Sequence, residues 1–88
     1  MLRESCIDCT RKHIGSAIVL LSESTLGYPE HFWIAIGHLG QAEEESIKDF
    51  PELAKKIRKI RREIMDKKNF CDIDWISLIK EANKYDHN

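Results

Sequence analysis

The stretch STLGYPEHFWIAIGHL, residues 24–39, decides the fold. Gly27 supplies a residue that tolerates the backbone turn closing a helix, and Pro29 suits the first turn of the next one. Upstream, Ile14, Ala17, Ile18, Leu21 and Thr25 recur at three- and four-residue spacing, so a first helix is predicted over 10–26. Downstream, Phe32, Ala35, Ile36, Leu39, Ala42 and Ile47 form the inner side of a second, over 29–48, which Phe50-Pro51 breaks.

Further out, Leu53, Ile57, Ile60 and Ile64 draw the apolar stripe of a third helix over 51–67. A short fourth helix is predicted over 73–84, with Asp72 or Asp74 as its N-cap and Trp75, Ile76, Ile79 and Ala82 as its apolar residues. No strand pattern competes, and no repeat or long linker divides the 88 residues. The expectation is one all-α domain, a small three- to four-helix antiparallel bundle stabilised by a metal and associating with copies of itself.

Composition narrows the setting. Three cysteines are an odd number, and charged Arg3 and Glu4 come directly after Met1-Leu2, which points to a soluble, reducing, cytoplasmic protein. Net charge is −1, so no global pull on nucleic acid exists. The charge is unevenly placed, however: residues 51–68 carry eight Lys/Arg against three Asp/Glu, whereas residues 1–50 carry four against eight. Such a basic segment serves either as an anion-binding strip or as the partner of acidic neighbours such as Glu43-Glu44-Glu45.

CIDCTRKH, from Cys6 to His13, holds the metal-binding pattern. Two thiols separated by two residues reach one ion from a tight turn, and His13 follows Cys9 by one helical turn. Zinc is the ion these ligands suit, and a helix N-terminus beside Arg11 and Lys12 is expected to lower the thiol pKa values. Two other readings stand beside it: a redox pair, although no βαβ context surrounds the cysteines, and unligated thiols at a helix start.

The fourth ligand is open. His38 completes a Cys2His2 set by residue type, but a symmetric hairpin register places position 13 opposite position 43 and leaves His38 roughly 7 Å out of step. Glu43 and Glu44 fit that register, His87 would arrive from the tail, and Cys71 would need another topology or a second subunit. The metal set expected is Cys6, Cys9, His13 and His38.

An anionic ligand would be held by Arg11, Lys12, Arg58, Arg61 and Arg62, with Tyr28, His31 and Trp33 offering stacking contacts. His31 and His38, seven residues apart, share one helix face. Gly15, Gly37 and Gly40 lie inside predicted helices, where each costs about 1 kcal/mol relative to alanine. Close helix crossing, or room for a ligand or subunit, would offset that. No helix-turn-helix pattern, serine triad, phosphate loop, His-Glu-x-x-His or Glu-x-x-His motif is present.

CIDCTRKH, GYPEHFWIAIGHLGQAEEE and the basic third helix together resemble a group of small prokaryotic and phage proteins sharing Cys-x2-Cys-x2-Lys-His, Gly-Tyr-Pro-x-His and Gly-His-Leu elements. The likeness covers roughly the first half of the chain, and no activity, fold or ligand set follows from it. A phage connection would favour a compact oligomer that sequesters a nucleotide. The function expected is therefore non-enzymatic binding of a nucleotide or nucleic acid by a zinc-stabilised protein. The alternatives are a module that docks an acidic protein and, with least support, a metal-dependent hydrolase using His38 or Glu43 near an open zinc position.

Overall fold

The first helix stops where Gly27 demands it. In the computed structural model, which describes residues 5–67 and 72–85, α1 runs Ile7–Thr25 and Gly27 takes the left-handed φ of 117°. Tyr28 and Pro29 then lend their carbonyls to the amides of His31 and Phe32, opening α2 at His31–Glu44. α3 spans Pro51–Lys67 and α4 spans Trp75–Asn83, and the described residues hold no strand. Cys71, His87 and Lys68 lie outside the described residues.

Each helix packs on its neighbours in chain order, and α4 returns to α1, so the four form a ring around one core. Ile14, Ala17 and Leu21 from α1 meet Ala35, Leu39 and Ala42 from α2, Leu53, Ile57 and Ile64 from α3, and Leu78 and Ala82 from α4. These are the stripes that three- and four-residue spacing predicts for the first three helices.

Two boundaries differ from expectation by three residues or more, each for a local reason, and the others agree to within two. α1 begins three residues early because Cys6 is its N-cap, its sulfur accepting the Cys9 amide at 3.2 Å. α2 ends at Glu44 rather than near Lys48 because the Ser46 hydroxyl turns back onto the carbonyls of Ala42, at 2.9 Å, and Glu43, at 3.0 Å.

The face of α4 also differs. Asp74 caps it, accepting the Ser77 amide at 2.9 Å, and this start turns Leu78 and Ala82 inward while Ile76 stays 69% exposed and Ile79 42%. Of the four apolar residues expected on this helix, Trp75 and Ala82 face the core and Ile76 and Ile79 do not; the inward row is Trp75, Leu78, Ala82 and Tyr85.

Candidate functional site

The end of the bundle where α1 begins is tied down by backbone and hydroxyl contacts. The Cys6 amide donates to the Glu45 carbonyl at 2.9 Å, and the Asp49 amide donates to Ser5 Oγ at 2.8 Å. Thr10, wholly buried, donates its hydroxyl to the Cys6 carbonyl at 2.8 Å. The turn carrying the cysteines is therefore fastened to both α1 and the chain leaving α2.

On that turn the Cys6 and Cys9 sulfurs share a hydrogen bond at 2.6 Å and are not joined as a disulfide. The Cys9 thiol is pushed up from its ordinary value, first by the hydrogen bond with Cys6, then by burial and by the negative charges of Cys6 and Glu45. Lys12 pulls the other way and is outweighed. The expectation of thiols lowered by Arg11 and Lys12 is corrected accordingly for Cys9, and Arg11 lies 3.7 Å from Asp8.

One turn further along α1, His13 meets His38 of α2, Nδ1 to Nδ1 at 2.9 Å, with ring centroids 5.2 Å apart. The symmetric register opposed this contact. The contact forms because the connection between α1 and α2 folds back along α1, bringing His31 Nδ1 to 3.3 Å from Glu23 Oε1. Cys6 with Glu45 and His13 with His38 then belong to one antiparallel register, shifted by five residues from the symmetric one.

The remaining candidate ligands fare differently. Glu43, only 9% exposed at its side chain, accepts Arg58 Nε at 2.9 Å on one oxygen and Arg61 Nη2 at 3.0 Å on the other. That carboxylate is committed to two guanidinium groups, which also removes it as the base of a hydrolytic site. Glu44 is exposed. Among the described residues, no three His, Cys, Asp or Glu side chains converge as they stand, so the thiol pair and the imidazole pair are two separate groups.

The residues expected to hold an anion fall on three surfaces rather than one. Arg11 and Lys12 stand on the first turns of α1. Tyr28 stacks on His31, with centroids 5.3 Å apart, at the other end of the hairpin, and 55%-exposed Trp33 follows on α2. Lys12 and Tyr28 are separated by roughly 20 Å of α1. On α3, Arg58 and Arg61 turn to Glu43, whereas Arg62 is exposed and shares an open groove with Lys55, Lys59, Glu63 and Asp66.

The basic segment therefore has both fates that its charge pattern allowed, one part paired within the fold and one part facing out. Lys55 and Lys59, absent from the anion-holding set expected from sequence, belong to the outward part; their four-residue spacing, extended by Arg62 three residues further on, was the signal for it. At Gly15 and Gly37 an added methyl would meet nothing within 4 Å, and at Gly40 it would reach Arg61 Nη1 at an ordinary 3.8 Å. Close crossing within the chain is not what those glycines serve. No protein-family model, curated protein or solved structure matches the chain.

Proposed function

We propose that this chain is a non-enzymatic binding protein for an anionic partner, a nucleotide or nucleic acid, which it engages through the outward basic row of α3. The observation that carries the reading is the placement of Lys55, Lys59 and Arg62, at successive four- and three-residue steps, on one exposed groove. Arg58, with a side chain 48% exposed, lines the same groove while bound to Glu43, so it adds charge from a fixed position. Phosphates attract such a row without any base-reading element, which fits a binder selective for charge and shape rather than sequence.

A second reading rests on Glu63 and Asp66, which line the same groove. Carboxylates among the cations suit a protein surface of mixed charge better than a run of phosphates, and favour a docking or regulatory module for a mainly acidic protein face that carries cations of its own.

The test is fluorescence anisotropy with a labelled single-stranded RNA, competed by DNA and by cyclic nucleotides. Replacing both Lys59 and Arg62 by alanine is expected to weaken binding at least about tenfold and to reduce the salt dependence by about two ions. Equal binding by the double variant would reject the basic-row reading, and displacement of RNA by acidic proteins alone would favour the second.

A further inference from the structure

Beyond the anion-binding reading, we propose that Cys6, Cys9, His13 and His38 are the four ligands of one tetrahedral transition-metal site, which the fold holds as two preassembled halves. Two thiols and two imidazoles are a borderline-soft donor set that suits zinc. The thiol half comes from the N-cap and first turn of α1. The imidazole half comes from two helices, His13 on α1 and His38 on α2.

The halves are neighbours by construction. Cys9 and His13 stand four residues apart on α1, the spacing by which a single helix presents two ligands to one ion. His38 needs no migration, because the hairpin register that joins Cys6 to Glu45 also sets it against His13. Glu43, its rival by the symmetric register, is held on both oxygens by Arg58 and Arg61.

The separations show what binding would change. Around zinc, with bonds of about 2.0 Å to nitrogen and 2.3 Å to sulfur, neighbouring nitrogens stand about 3.3 Å apart and neighbouring sulfurs about 3.8 Å. The imidazole nitrogens stand at 2.9 Å and the sulfurs at 2.6 Å, so an ion spreads both pairs. The two pairs do not converge as they stand, so binding at one centre would take side-chain rotation at Cys9 and His13; the contacts of Ser5, Cys6 and Thr10 fasten the backbone that carries the thiols. Each thiol gives up its proton to become the thiolate that the ion binds, and those protons pass to solvent.

Cobalt(II) alone, titrated into the reduced apoprotein, reads this site directly. The expected result is one cobalt per chain, ligand-field bands of tetrahedral intensity, a sulfur-to-cobalt charge-transfer band, and displacement of all three by zinc. His38→Gln is expected to weaken cobalt binding more than about 100-fold, since outer partners of ligands already cost 10- to 100-fold, and Cys9→Ser to weaken the charge-transfer band. Circular dichroism checks that each variant is folded, and the wild-type spectrum stands whether or not the variants fold. Absence of a sulfur charge-transfer band in the wild type, or unchanged affinity in folded His38→Gln, would overturn the assignment. Oligonucleotide binding is read in a separate assay, so either proposal can fail without the other.

Discussion

His13 and His38 share a hydrogen bond between like atoms, Nδ1 to Nδ1 at 2.9 Å, across the α1–α2 interface. Like atoms cannot both accept: one ring must carry a proton on Nδ1 and the other must offer a bare Nδ1. Nitrogen-15 spectra of the metal-free protein are expected to show two different tautomers for these rings. In a double-mutant cycle, alanine at both positions is expected to reveal a coupling of about 0.5–1.5 kcal/mol. Identical tautomers with no coupling would mean that the contact is absent in solution.

Glu43 is the electrostatic joint between α2 and α3. Replacing it by alanine leaves two guanidinium groups without their shared acceptor, at an expected cost of about 2–3 kcal/mol in urea denaturation. The figure sits below the usual loss for a fully buried pair because the Arg58 and Arg61 side chains are 48% and 30% exposed. Arg58→Ala alone is expected to cost less than Glu43→Ala.

The glycines separate by sign. Gly15→Ala and Gly37→Ala are each expected to stabilise the isolated chain by about 0.5–1 kcal/mol, because the added methyl meets nothing and the helix gains propensity. Gly27→Ala is expected to destabilise it by about 1 kcal/mol, because an L side chain is strained at a φ of 117°. Thermal denaturation of the three variants reads both effects.

Tyr85 is expected to ionise above the ordinary tyrosine range. Burial raises it first, followed by the charge of Glu81 and the bond its hydroxyl donates to that carboxylate at 3.3 Å. The fold thus favours the neutral phenol, and this contribution is intact below the unfolded value and lost as pH rises through the folded one. Ultraviolet titration of Tyr28→Phe isolates the group; adding Glu81→Gln is expected to bring it only part of the way down, because burial remains.

Helix-scale features were legible because each rests on local chemistry. Leu53, Ile57 and Ile64 could only form an inner stripe, and Gly27 could only be a break. Features that depend on how one helix meets another were not. The hairpin register hung on how far the residues between Thr25 and His31 fold back along α1, which spacing does not encode, and so His38 looked misplaced although its residue type was persuasive. For Arg58 and Arg61 the charge pattern left two fates open, a surface for phosphate or pairing with Glu43-Glu44-Glu45, and only the packing of α3 on α2 decides that Glu43 takes both. For α4 two aspartates offered two starts, and Asp74 is the one that accepts the Ser77 amide.

The most direct measurement is X-ray absorption at the zinc edge, on protein loaded with one equivalent of the metal. Two sulfurs at about 2.3 Å and two imidazole nitrogens at about 2.0 Å are the predicted shell. A shell of nitrogen and oxygen without sulfur, or of sulfur without imidazole, would contradict it.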